Sequence, residues 1–271
     1  CDNSEPFTPE WNHREQVEPG KIYEEYCRTT QLHLPAEETN AYGLYHAMGI
    51  YEGQRKECKE KRVTNLTRSA YTGQQKYGTI MWSGDIAATW ETLQKQIAAG
   101  LHFSASGLPY WTVDIGAFFV KRGNTWFWKG DYDKTIEDLG YRELFVRWFQ
   151  WAGFLPVFRG HGTDCRRELW LIENTEVPFY DALVAANHLR YELMPYIYSL
   201  AGKCYLEDAS MMTPLAFSYG ADKNTWNILD QYLFGPGLMV CPVTEPMYYK
   251  AGSVELTGVE KVRKVYLPEG N

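Results

Sequence analysis

RVTNLTRSAYTGQQKYGTIMWSGD, residues 62–85, contains two short apolar runs separated by turn residues. RVTNLTRSA (62–70) is strand-like and leads to a turn containing Gly73, and GTIMWSGD (78–85) is a second strand. The segment after it reads as a helix, because Trp90, Leu93 and Ile97 recur at helical spacing. Further on, LPYWTVDIGAF (108–118) and GFLPVFRGHG (153–162) repeat the strand pattern, with RELFVRWFQWAG (142–153) as the helix between them. Such alternation predicts βα units around a parallel sheet, an α/β fold. Arg68, Asp85, Asp114, and Arg159 with His161 fall at the C-terminal ends of these strands. In (β/α)8 barrels that face holds the active site.

Outward from this core, Ala41 to Lys59 reads as a helix with Leu44, Tyr45, Met48 and Tyr51 on one side. Residues 6–40 are rich in Pro, Glu, Thr and His and read as a long loop insertion over the active-site face. Downstream, a helix from about Phe179 to Cys204 is expected to kink at Pro195. LFGPGLMVCPVTEP (233–246) and KVRKVYLPEG (261–270) are then strand-like with no helix between them, as at the start of a β-sandwich. Four strand units make half a barrel, and half a closed barrel leaves open edges. The expectation from the pattern is therefore half of a (β/α)8 TIM barrel over residues 1–204, followed by the beginning of a β-sandwich over 205–271. The rest of the same barrel is its expected partner.

Composition narrows the function. The 271 residues are 45% hydrophobic and 15% aromatic, enough for a large globular core, and the net charge of −7 offers no basic face for nucleic acid. No apolar run approaches a membrane span, so neither nucleic acid nor membrane is an expected partner. Six cysteines are scattered without a CxxC pair or a Cys/His cluster, so no metal and no cofactor are expected. The compartment stays open, a secreted or periplasmic location included. The triplet Asn65-Leu66-Thr67 has the form of a glycosylation site but lies in an expected buried strand.

Two carboxylates stand out, Asp2 in CDNSEPF and Asp85 in MWSGDIAATW. Hydrolysis of a glycosidic bond with retention takes one carboxylate as nucleophile and a second carboxyl as proton donor. Taken singly, each candidate has a plainer explanation. An Asp after a strand can cap the next helix. His161 could be a core histidine, Arg68 a structural ion-pair partner, and Trp126, Trp128, Trp148 and Trp151 core packing.

Taken together, DNSE at 2–5, LTRSAYTGQQKYG, WSGD, WTVDIGAF, VFRGHGT, RRELW, LRYELMPYIYSLA and QYLFGPGLMVCPV resemble glycoside hydrolase family 31, the α-glucosidase and α-xylosidase family, in order and spacing. The resemblance implies that Asp2 is the catalytic nucleophile and Asp85 the general acid/base. It also implies that Arg68, Trp82, Asp114 and His161 surround the sugar in the −1 subsite, and that residues 1–204 are the C-terminal half of the barrel, after strand 4 through strand 8, with the missing N-terminal half as partner and 205–271 as the beginning of the post-barrel β-sandwich. An α-linked oligosaccharide is then the substrate, and a homo-oligomer is compatible with the family. DIGAF stands where DIGGF is the commoner form, so the Ala117 methyl is expected to trim a subsite without abolishing catalysis. WTVDIGAF with Trp111 and ELFVRWFQWAGFLPVFRGHGT look more like the α-xylosidases than the digestive α-glucosidases. A transglycosylase, an α-glucan lyase or a non-catalytic sugar-binding protein would share much of this sequence.

Overall fold

The structure, a computed structural model, describes residues 18–31, 34–123 and 129–269, which form two compact units divided between Trp82 and Ser83. In the first unit, α1 (Pro19–Gln31) and a 3-10 turn (Ala36–Ala41) lead into α2 (Tyr42–Glu57). The 6–40 segment is therefore not all loop: PGKIYEEYCRTTQ is helical, while residues 6–17 lie outside the described residues. Proline is tolerated at the first helical position because its missing N–H has no partner there, and Lys, Glu, Arg and Gln are good helix formers. α2 falls within a residue or two of its expected limits.

β1 (Asn65–Thr67) and β2 (Thr79–Trp82) pair in parallel, with Asn65 opposite Thr79 and Thr67 opposite Met81. The parallel pairing expected from the alternation is thus present. Asn65 and Thr67 are buried, and the Asn65 amide donates to the carbonyls of Tyr77 at 3.2 Å and Ala47 at 3.4 Å. Those bonds make a buried asparagine affordable and tie α2 to the strand and its following turn. The Asn-Leu-Thr triplet does sit in a buried strand.

The second unit begins with α3 (Trp90–Ala105), whose buried stripe of Leu93, Ile97, Leu101 and Ser104 follows helical spacing. A leucine or isoleucine so buried contributes about 1.5–3 kcal/mol. α4 (Leu139–Ala152) buries Leu144, Phe145, Trp148, Phe149 and Trp151, so the two tryptophans are core packing; Trp126 and Trp128 lie outside the described residues. The single kinked helix expected over 179–204 is instead two helices, α5 (Phe179–Glu192) and α6 (Met194–Glu207). Pro195 stands in the first turn of α6, where it starts a helix without breaking a bond.

Two expected strands are scarcely regular. Within 108–118 only Trp111–Thr112 (β3) is a strand, and 153–162 contains none. The segments nevertheless run together: Val157 N–H donates to the Trp111 carbonyl at 3.3 Å, Ile115 N–H to the Arg159 carbonyl at 3.4 Å, and the Thr112 hydroxyl to the Val157 carbonyl at 3.0 Å. Turns at Phe154–Val157 spoil the longer ladder.

Past α6, β4 (Met212–Pro214), β5 (Tyr232–Phe234) and β6 (Leu238–Val240) form an antiparallel meander in the order 4-5-6, with the short helix α7 (Leu215–Ser218) between β4 and β5. A hairpin of β7 (Tyr249–Lys250) and β8 (Val254–Glu255) follows. KVRKVYLPEG was expected as a strand, but residues 261–269 form none. Side chains hold them in place of a ladder. The Gln231 amide exchanges two 2.9 Å bonds with the Tyr266 backbone, and Arg263 pairs with Asp230 at 2.5 Å.

The hairpin is fastened to α4 by two buried acids. Asp138 caps the helix by accepting from Gly140 N–H at 2.9 Å, and also accepts from Gly252 N–H at 2.7 Å and Ser253 N–H at 3.0 Å. Glu143 accepts from three successive amides, Met247 at 2.7 Å, Tyr248 at 2.9 Å and Tyr249 at 2.8 Å. The Ser253 hydroxyl in turn accepts from Leu139 N–H at 2.9 Å. Gly140 permits this approach, since a Cβ there would lie 2.5 Å from the Lys250 carbonyl oxygen.

Candidate active site

In the first unit, Arg68 directly follows β1 and Trp82 closes β2. Because the strands are parallel and Thr67 stands opposite Met81, both residues emerge at the same end of the pair. Arg68 is half-buried and Trp82 buried. Asp2 lies outside the described residues.

The second unit assembles Asp85, Asp114, Phe118, Arg159 and His161. Ile86, just after Asp85, accepts from the N–H groups of Phe118 and Phe119 at 2.9 Å, and Ala88 N–H donates to the Phe119 carbonyl at 2.8 Å. This fixes the Asp85 loop against the loop that follows Asp114. The helix after Asp85 is capped by Thr89, whose hydroxyl accepts from Thr92 N–H at 3.0 Å. Helix capping is thus not the task of Asp85.

Asp114 is fully buried, and one carboxylate oxygen accepts a hydrogen bond from the Arg159 guanidinium. The other, Oδ2, is buried without a hydrogen-bond partner among the described residues. Burial pushes the Asp114 carboxyl up to about 7; the charge and hydrogen bond of Arg159 oppose the rise, the Asp85 carboxylate adds to it, and Arg167 opposes it. The two acids are therefore within electrostatic reach of each other. His161 is exposed, not a core histidine, and its ring lies against that of Phe118 with centroids 5.6 Å apart.

Arg159 and Phe118 were not among the assigned candidates. Arg159 had a signal in its place beside His161 at a strand end, whereas Phe118 read as one core aromatic among many. Ala117, fully buried, has φ of +66°, a left-handed conformation that glycine adopts more readily. The departure from DIGGF is thus a backbone matter as well as a methyl group. Among the described residues no group of three or more His, Cys, Asp or Glu could hold a metal ion, and no helix is long and apolar enough to cross a membrane.

Arg190 supports this wall of the site. The Arg190 guanidinium, buried on α5, donates to the carbonyls of Gly153 at 2.9 Å, Leu155 at 2.6 Å and Pro156 at 3.1 Å, fixing the turn that leads to Arg159 and His161. Burial pulls its pKa down to about 10.

Comparison with known proteins gives concordant matches. Residues 1–200 match the glycosyl hydrolases family 31 TIM-barrel domain, and residues 208–271 match the glycosyl hydrolase family 31 C-terminal domain. An alpha-xylosidase of Saccharolobus solfataricus is 44% identical over 210 residues, covering 78% of this chain and 26% of its own length. Neutral alpha-glucosidase C of Homo sapiens is 36% identical over 237 residues, covering 86% of this chain and 22% of its own. The crystal structure of the family 31 alpha-xylosidase from Xanthomonas citri superposes with a TM-score of 0.71 at 36% identity, over 90% of this chain and 25% of that one. The chain thus spans about a quarter of the length of these relatives.

Proposed function

The chain belongs to glycoside hydrolase family 31, and on that premise we propose that the protein is a retaining, exo-acting α-glycosidase, an α-xylosidase that releases α-linked xylose from oligosaccharides. In this reading Asp2 is the nucleophile and Asp85 the general acid/base, while Arg68, Trp82, Asp114 and His161 hold the sugar. The Asp2 carboxylate attacks the anomeric carbon as Asp85 gives its proton to the departing glycosidic oxygen. Water, losing a proton to Asp85, then attacks the same carbon and releases Asp2. The observation that carries the reading is the cluster in which Asp85 acts electrostatically on a buried Asp114 that is itself paired with Arg159. The Asp114 Oδ2, which has no hydrogen-bond partner among the described residues, can accept a hydrogen bond from a sugar hydroxyl, and such bonds can strengthen as the ring distorts toward an oxocarbenium ion.

For the architecture, we read residues 1–204 as the C-terminal half of the barrel, from after strand 4 through strand 8, and 205–271 as the beginning of the post-barrel sandwich. The parallel β1–β2 pair, the β4–β5–β6 meander, and the family-model limits at 200 and 208 support that division.

A second reading, α-glucosidase, has the 36% identity to neutral alpha-glucosidase C in its favour. Xylose lacks the hydroxymethyl group of glucose, a difference worth about 1–3 kcal/mol in a fitted pocket. Turnover of aryl α-xyloside and aryl α-glucoside by the full-length protein decides: a kcat/KM ratio above one supports the α-xylosidase, and a ratio below one the α-glucosidase. Proton NMR of the first-formed product tests the mechanism. The α anomer is expected, and the β anomer would exclude a double displacement.

A further inference from the structure

Arg167 lies outside every role assigned above, yet it joins the two loops that carry Phe118 and His161. Its guanidinium reaches four backbone carbonyls. Nη1 donates to Thr163 and Cys165, both at 3.0 Å, and Nη2 to Ala117 at 2.6 Å and Phe118 at 3.3 Å. Ala117 and Phe118 follow Asp114, whereas Thr163 and Cys165 follow His161. The backbone adds a bond from Thr163 N–H to the Phe118 carbonyl at 3.0 Å, and the Asp164 carboxylate accepts from Val120 N–H at 2.8 Å and Lys121 N–H at 3.2 Å.

Both loops are shaped to receive the guanidinium. The left-handed turn at Ala117 presents its carbonyl to Nη2. At Gly162, with φ of +152°, an added Cβ would lie 2.2 Å from Arg167 Nη2 and 2.8 Å from the Ala117 carbonyl oxygen, so glycine leaves room for the clamp. A planar fork with five donors can serve carbonyls on two loops at once, whereas a lysine ammonium is a single point with three donors on a flexible stem.

We infer that Arg167 is a positioning residue, which sets the spacing of Phe118 and His161 by bonding the backbone of both their loops. The inference rests on the proposed glycosidase reading, in which His161 holds the sugar. Misplacement of a contact group by about 1 Å can cost on the order of a hundredfold in rate.

The test uses the full-length protein with Arg167→Met and Arg167→Lys, measured on aryl α-xyloside and aryl α-glucoside. Arg167→Met is expected to lower kcat about a hundredfold with KM changed less than about threefold, and Arg167→Lys to recover part of the loss. Folding is followed in parallel by thermal melting. Loss confined to the yield of folded protein, or kcat per folded molecule within about threefold of wild type in either variant that folds, would overturn the inference. A third readout needs no turnover: in histidine-labelled protein the His161 ring protons, assigned by their disappearance in His161→Ala, sense the Phe118 ring current. They should shift in Arg167→Met, and unchanged shifts count against the inference. Wild-type protein inactive on both glycosides would instead refute the glycosidase reading, leaving the ring-current result to judge the clamp.

Discussion

Glu143→Gln isolates the bond between α4 and the hairpin that docks on it. Glu143 Oε1 accepts from Met247 N–H, while Oε2 accepts from both Tyr248 and Tyr249 N–H, and the side chain is 2% exposed. Glutamine has nearly the same shape but only one acceptor atom. Turned with its oxygen toward Tyr248 and Tyr249, it keeps two bonds in weaker, neutral form and sets its NH2 group against the Met247 N–H. The opposite orientation confronts two donors with a donor and is worse. Each hydrogen bond to a charged group is worth about 1.5–3 kcal/mol and a neutral one about 0.5–1.5 kcal/mol. The lost bond and two weakened ones, less what a small shift of the hairpin recovers, come to about 3 kcal/mol. That corresponds to roughly a hundredfold faster hydrogen exchange if the hairpin opens locally. Exchange of the amides of residues 247–249, followed by mass spectrometry, measures it directly. Exchange within about threefold of wild type, with an unchanged denaturation midpoint, would refute the view that this carboxylate holds the hairpin.

Other perturbations test other parts of the structure. Because the Asp114 carboxyl is raised from 3.8 to about 7, the folded state holds a proton that the unfolded chain releases between those values, so stability falls as pH rises through that window and levels off above it. Asp114→Asn should remove a decline of up to about 4 kcal/mol, seen as a flatter pH dependence of urea unfolding than wild type; parallel curves would rule this out. Ala117→Val places a β-branched side chain at positive φ in a fully buried position and should cost more than about 2 kcal/mol, whereas Ala117→Gly should stay within about 1 kcal/mol of wild type because relief of the backbone offsets the lost methyl. Arg190→Met leaves three carbonyls without their donor and should destabilise by about 3 kcal/mol or more, checked by the same unfolding curves.

Helices with a clear apolar period were legible from the sequence, and so was the parallel strand pair. α3 and α4 bury the residues their spacing marks, and β1 and β2 pair as the alternation implied. Legibility failed where side chains replace backbone order. Residues 153–162 were expected as a strand from their apolar run, but the Arg190 guanidinium takes the carbonyls of Gly153, Leu155 and Pro156 that a ladder would use. Residues 261–269 failed likewise, held by Gln231 and Asp230 in place of a neighbouring strand. α1 was missed although Ile22, Tyr23, Tyr26 and Cys27 recur at helical spacing, because the surrounding Pro, Glu and Thr read as loop. Within the site, motif order singled out Asp85, Asp114 and His161, but not the partners that act through geometry. Arg159 binds Asp114 across 45 residues, and Arg167 reaches Ala117 across 50, separations that local spacing cannot reveal.

The acids that hold the hairpin also bear on how this chain is made. Asp138 and Glu143 meet their amide partners 104 to 115 residues later in the sequence. At roughly 5–20 residues per second of synthesis, α4 leaves the ribosome about 5–20 s before the segment that covers it. An apolar docking face would spend that interval as an adhesive patch for other nascent chains. Two carboxylates remain hydrated until the amides of 247–253 arrive, and give up their water only then. The polar latch leaves this one face of the helix wetted until its partner arrives, while its apolar faces pack on the earlier part of the chain.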